Sequence, residues 1–141
     1  MKPQVVRISA YGLLVEDERL LLCRISERVY GDAGKWTLPG GGLDFGEAPS
    51  TAVVREVEEE TGIHVAVRRL VEVESENFDN DDRLFQAIRI IYEVERVGGD
   101  LRSEADGSTD LCAWWTRDEV VALPLVPLVA RSLHLAFPAS D

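Results

Sequence analysis

The chain has 141 residues, 26 acidic and 15 basic, for a formal net charge of −11. A length near 150 predicts one domain over residues 1–141, large enough to bury a core without covalent staples. The acidity excludes sequence-independent binding to DNA or RNA, which needs clustered Lys and Arg, and disfavours docking on an anionic membrane. An anionic substrate would need a local basic patch or a bound cation.

In chain order, Val5 to Val15 is apolar and rich in β-formers, Glu16-Asp17-Glu18 makes a polar turn, and Arg19 to Ile25 a second strand. Together they predict a hairpin. Arg7 interrupts the first apolar run, so the layout of a signal peptide is missing. No apolar stretch nears the roughly 20 residues of a membrane helix. These features predict a cytoplasmic protein. Cys23 and Cys112 have no metal-ligand spacing and read as small buried hydrophobes in a reduced protein.

Ser26 to Lys35 reads as a loop, Trp36-Thr37-Leu38 as a short extended segment, and Pro39-Gly40-Gly41-Gly42 as a sharp break. A helix is predicted from about Glu47 to Thr61, with Pro49 in its first turn and Gly62 at its end. Val65 to Phe78 and Leu84 to Val97 alternate as strands around an acidic turn. Asp110 to Thr116 predicts a short strand and Arg117 to Ala122 a helical turn. Beyond Pro124 the residues Leu125, Leu128, Val129, Leu133 and Ala136 place an apolar stripe on a terminal helix. Because strands and helices do not alternate regularly, the fold class is α+β with a mixed sheet rather than a doubly wound parallel one.

Residues 41–62 hold 6 acids and 1 base, a net charge of −5. At about 100° per residue, Glu56, Glu59 and Glu60 share one arc of the helix and Val53, Val54 and Val57 the adjacent apolar face, with Glu58 pointing away. Carboxylates at i, i+3 and i+4 repel one another, and near a helix C-terminus the macrodipole disfavours them further. A hard divalent cation reverses both effects, and an oxygen-only donor set suits Mg²⁺ or Mn²⁺ rather than Zn²⁺. The alternative is a solvated acidic face. The glycine run in front of the helix favours the metal, because backbone there can approach a ligand closely.

From Gly41 through Ile63 the chain resembles the signature of the Nudix hydrolases: Gly, five residues, Glu, seven residues, then Arg-Glu-aliphatic-any-Glu-Glu-any-Gly-aliphatic. Gly41, Glu47, Arg55, Glu56, Val57, Glu59, Glu60, Gly62 and Ile63 fill every position. The resemblance implies an α/β/α sandwich and Mg²⁺- or Mn²⁺-dependent hydrolysis of a diphosphate linkage in a nucleoside diphosphate derivative or a (deoxy)nucleoside triphosphate. It implies Glu56, Glu59, Glu60 and the Gly40 carbonyl as metal ligands, with Glu47 and Arg55 orienting them. The base would be Glu56 or a loop acid, for which Glu104, Asp106 and Asp110 are candidates, Asp110 also as a metal ligand. A non-catalytic nucleotide-sensing or interaction domain of the same fold is the alternative function.

Arg24, Arg28 and Lys35 lie within residues 1–40, where 6 bases outnumber 5 acids, and are candidates for substrate phosphates. Trp36, Phe78 and Phe85 read first as core, with base stacking as their other use. Trp114 and Trp115 must point to opposite faces of a strand. His64 is placed to meet the last helix carbonyls. Two subfamily markers expected fifteen to eighteen residues past the signature, proline or tyrosine, are missing from Phe78 to Asp81. The expected partner is a small nucleotide-like substrate, and a homodimer stays open.

Overall fold

A computed structural model describes residues 1–104 and 106–138. Among them the strands are β1 (Gln4–Leu13), β2 (Val15–Glu16), β3 (Arg19–Ile25), β4 (Trp36–Thr37), β5 (Gly40–Gly42), β6 (Ile63–Asp79), β7 (Leu84–Gly99) and β8 (Thr109–Thr116). The helices are α1 (Pro49–Thr61), α2 (Arg117–Val120) and α3 (Pro127–Ala136). One sheet runs β5-β1-β7-β6, with β1 parallel to β7 and the other pairs antiparallel. In the second sheet β3 pairs with β2, β4 and β8, all antiparallel. The class is α+β with a mixed sheet, as the irregular element order predicts.

The expected hairpin is mostly absent. β1 belongs to the first sheet, and only Val15–Glu16 pairs back onto β3. The turn between them, Asp17-Glu18, takes φ values of 52° and 60°, the positive values that a two-residue type I′ turn needs at both positions. The cause lies in the leucine pair. Leu13 packs into the cluster around α3 and Leu14 into the one around α1, so the chain leaves one sheet for the other there.

α1 starts at Pro49 rather than at Glu47, which sits in the loop before it. Gly62 ends it at φ 77° and donates its N–H to the Glu58 carbonyl at 2.9 Å, a left-handed cap that glycine adopts without a Cβ penalty. Ala52, Val53 and Val57 are fully buried while Val54 is only partly so, and Glu60 and Thr61 join the buried side. The helix lies directly on Gly12 of β1. A Cβ built there would stand 3.1 Å from Val57, 3.3 Å from Val94 and 3.4 Å from Val53. Gly12→Val should therefore lower stability by about 1–3 kcal/mol through overpacking; a thermal melt equal to wild type would refute that seating of α1.

On the opposite side α3 buries Leu128, Val129 and Ala136 against Leu13, Leu20, Leu22, Trp36 and Ile91. Leu125 precedes the helix, bridges to Trp36 and packs on the same cluster from outside the helix. α2 carries a capping box between Thr116 and Glu119. Trp114 packs on the α1 cluster and Trp115 on the α3 cluster, as alternation requires. Among the described residues no helix is long and apolar enough to cross a membrane.

Candidate functional site

The glycine strand β5 pairs with β1, setting Ser9 opposite Gly42, Ala10 opposite Gly41 and Tyr11 opposite Gly40. α1 follows within a few residues, so its carboxylates hang against the glycine backbone. A Cβ at Gly41 would lie 2.9 Å from the Glu56 carboxylate, and one at Gly40, where φ is 156°, would collide with β1 at Tyr11. Glycine is required here for space.

Arg55 organises the outer part of the site. Its Nε and Nη2 donate to the two carboxylate oxygens of Glu47 at 2.7 and 2.8 Å, and Nη2 also to the Gly42 carbonyl at 3.3 Å. Nη1 donates to Glu56 at 3.1 Å and to Glu59 at 3.2 Å. The bidentate Arg55 pair, helped by the backbone N–H of Asp44, holds the Glu47 carboxyl down at about 2. The same contact with Glu47 raises Arg55 above its ordinary value. Burial raises Glu56 above the usual carboxylate range despite the neighbouring guanidinium.

Glu60 is different. It is 4% exposed and none of the ion pairs among the described residues includes it. Its Oε1 accepts the Gly40 N–H at 3.1 Å and its Oε2 the Thr109 hydroxyl at 3.3 Å. Burial pushes its carboxyl well above the ordinary range. A buried carboxylate without a counter-ion is costly, so this group calls for a proton or a cation.

The structure thus brings Gly40, Glu47, Arg55, Glu56, Glu59 and Glu60 to one edge of α1. Among the described residues no three His, Cys, Asp or Glu side chains converge as a ready-made metal cage. Arg55 Nη1 engages Glu56 and Glu59, while Glu60 turns in toward Gly40. The donor set nonetheless fits a hard divalent cation, being all oxygen and including one buried, uncompensated anion.

Asp110 does not join this group. It is the extra residue where the β3–β8 register steps from Ile25–Thr109 to Arg24–Leu111, and its carboxylate accepts from Arg24 Nε at 2.8 Å. Arg28 stands 3.6 Å from Asp106 and Lys35 3.1 Å from Asp32, so each of the three candidate phosphate cations already meets an acid. Glu104 folds against Gly107 in the loop before β8. His64 pairs with the Glu58 side chain at 3.4 Å rather than with helix carbonyls; Gly62 and Arg102 satisfy those. Trp36 is buried core, whereas Phe78 is exposed and Phe85 half-buried.

Three contributors escape the sequence reading. Thr109 and Cys112 of β8 hold Glu60 from behind, Thr109 at the carboxylate and Cys112 Sγ donating to the Glu60 carbonyl at 3.1 Å. Cys23 lies directly opposite with its sulfur 3.1 Å from that of Cys112, and both are free thiols. The third is Arg7, an exposed cation of β1 whose guanidinium lies 3.0 Å from where a Gly42 side chain would begin. Its only signal in the sequence is a single charge inside an apolar strand.

A family model described as NUDIX domain matches residues 4–136. A MutT-like protein of Streptomyces ambofaciens is 37% identical over 119 residues, covering 84% of this chain and 69% of that protein. An ADP-ribose pyrophosphatase of Methanocaldococcus jannaschii is 33% identical over 99 residues, 70% of this chain and 56% of its own length. Among solved structures, a NUDIX hydrolase from Nitrosomonas europaea superposes with a TM-score of 0.76 at 26% identity, covering 94% of this chain and 87% of that one. A MutT protein from Methanosarcina mazei gives a TM-score of 0.71 at 27% identity, over 96% and 94%.

Proposed function

The chain belongs to the Nudix family, and from that premise we propose that it is a pyrophosphohydrolase that cleaves a diphosphate linkage in a nucleotide derivative with Mg²⁺ or Mn²⁺. The observation that carries the metal-dependent reading is Glu60, a buried carboxylate beside the Gly40 backbone with no cationic partner. Glu59, Glu60 and the Gly40 carbonyl would hold the cation together with Glu56. When bound, the cation neutralises the diphosphate and lowers the pKa of water that attacks phosphorus.

The protein groups supply position and a proton acceptor. Arg55 Nη1 ties Glu56 to Glu59, and Glu47 fixes Arg55 by both its oxygens. Glu56 is the base we favour: it is half-buried, with its carboxylate directly against the Gly41 backbone. We assign no such role to Asp110, since Arg24 occupies its carboxylate. The reading further takes residues 1–141 as one catalytic domain in a reducing, cytoplasmic setting, consistent with the free thiols of Cys23 and Cys112.

The test is release of phosphate or diphosphate across a panel of nucleotide derivatives, with and without Mg²⁺. Turnover that requires the metal is expected, with Glu59→Gln lowering kcat at least tenfold while the melting temperature stays near wild type, because Glu59 is exposed. Tight binding of one compound without turnover of any would identify a nucleotide sensor instead.

A further inference from the structure

We propose that Cys23 and Cys112 form a peroxide-sensitive modification site, closing a disulfide between β3 and β8 that removes a donor behind Glu60 and slows hydrolysis. The effect on turnover rests on the hydrolase reading above; formation of the bond does not.

The strand ladder sets the pair up. Cys23 and Cys112 lie directly opposite each other in antiparallel register. The Cys112 N–H points away from β3, to Ser103 Oγ at 3.2 Å. The Ile25 N–H goes to the Lys35 carbonyl at 2.8 Å, so by alternation the Cys23 N–H also faces β4 rather than β8. The two cysteines are therefore a non-hydrogen-bonded pair, the kind whose Cα atoms stand about 4.5 Å apart. That separation lies within the range a disulfide spans. The sulfurs are already 3.1 Å apart, so closure needs about 1 Å of movement and no change of register. The chain holds two cysteines, so no other intrachain pairing competes.

The pair also reaches the site. Cys112 Sγ donates to the Glu60 carbonyl at 3.1 Å, so the contact between the sulfurs is made by the Cys23 thiol proton. Glu60 lies in the last turn of α1, where carbonyls have no intrahelical donor. A disulfide carries no thiol proton. Its formation takes the donor from this carbonyl and draws Cys112 Sγ toward Cys23, and a buried acceptor deprived of its partner is costly. The residue disturbed is the buried carboxylate on which the cation reading depends.

Cys112 is 5% exposed and Cys23 fully buried, so the oxidant meets Cys112 first and must be small. Hydrogen peroxide fits both requirements. The Cys112 sulfur attacks one peroxide oxygen, the O–O bond breaks, and a water leaves as Cys112 becomes a sulfenic acid. The Cys23 sulfur then attacks that sulfur; the S–S bond forms, the S–O bond breaks and a second water leaves. Two thiols and one peroxide thus become one disulfide and two waters, with two electrons passing from sulfur to oxygen. A reducing dithiol reverses the change.

The test treats reduced, desalted protein with hydrogen peroxide and follows intact mass, thermal melting and Mg²⁺-dependent rates. The product should be a monomer lighter by two hydrogens. It should melt about 5–10 °C higher, because the bond joins residues 89 apart in the chain. Its kcat should fall about 3- to 10-fold, the effect of one lost hydrogen bond. Dithiothreitol should restore mass, melting temperature and rate together, a reversal read on the wild-type protein without any variant. Cys23→Ala should hydrolyse at the reduced wild-type rate and show neither the mass change nor the rise in melting temperature. A protein that forms no intrachain disulfide, or turns over unchanged once cross-linked, overturns the proposal. So does a Cys23→Ala variant that peroxide slows as reversibly as wild type. Failure of the hydrolase reading would show separately, as no Mg²⁺-dependent release by the reduced protein, while mass and melting still report the bond.

Discussion

Glu60→Gln should give a metal-free protein that is more stable than wild type and an enzyme that is nearly inactive. In wild type the Glu60 carboxylate is buried against Gly40 and Thr109 with no cation beside it. The glutamine keeps the oxygen that accepts from Gly40 N–H, and its amide can donate to the Thr109 hydroxyl. What is lost is the buried charge. Relief of that desolvation should raise stability by about 1–2 kcal/mol, a few degrees in Tm for a chain of this size. Activity should fall by about 10²–10³, since a neutral amide is a weak ligand for a hard cation and metal-supplied charge stabilisation amounts to several kcal/mol. The protein's thermal shift on adding Mg²⁺ should shrink with it. Differential scanning fluorimetry with and without metal, beside initial rates, checks both halves. A destabilised metal-free Glu60→Gln with normal turnover would show that Glu60 is a structural hydrogen-bonding residue only.

That opposition of stability and activity was half legible from the residue order. Helical geometry puts Glu56, Glu59 and Glu60 on one arc, and Pro49 and Gly62 mark the ends of α1 within two residues. Spacing alone cannot tell which of the three carboxylates is buried, because that depends on β8, an element almost fifty residues away that presses Thr109 and Cys112 against Glu60. The hairpin expectation failed for a similar reason. Leu13 and Leu14 are indistinguishable as apolar residues, and only the presence of two separate clusters sends them to different sheets. Arg24 and Asp110 are likewise distant in the chain, and their pairing follows from the β3–β8 register rather than from any local pattern. Arg7 was visible as a charge in a strand, but its position over Gly42 needs the β1–β5 pairing.

Arg55→Lys should lower kcat by about 10- to 100-fold, the range found when a residue that orients ligands is altered. Arg55→Gln should do so more severely and should also melt roughly 5–10 °C lower. The guanidinium serves Glu47, Glu56, Glu59 and the Gly42 carbonyl at once from a planar fork, and an ammonium cannot reproduce the bidentate contact with Glu47. A pH series gives the sign independently. Glu47 titrates at about 2 in the folded protein, below the ordinary glutamate value near 4.3. Its pairing with Arg55 therefore stabilises the fold fully above about pH 4.3, and that contribution is lost as pH falls toward 2. The gap in melting temperature between wild type and Arg55→Gln should consequently be widest near neutrality and close on acidification through that window. A gap that stays constant down to pH 2 would mean that the loss comes from packing of the arginine stem and not from its charge. If Arg55→Lys instead retained full turnover, Glu56 and Glu59 would be shown to find their working positions without the fork, and the ordering role assigned to Arg55 would fall.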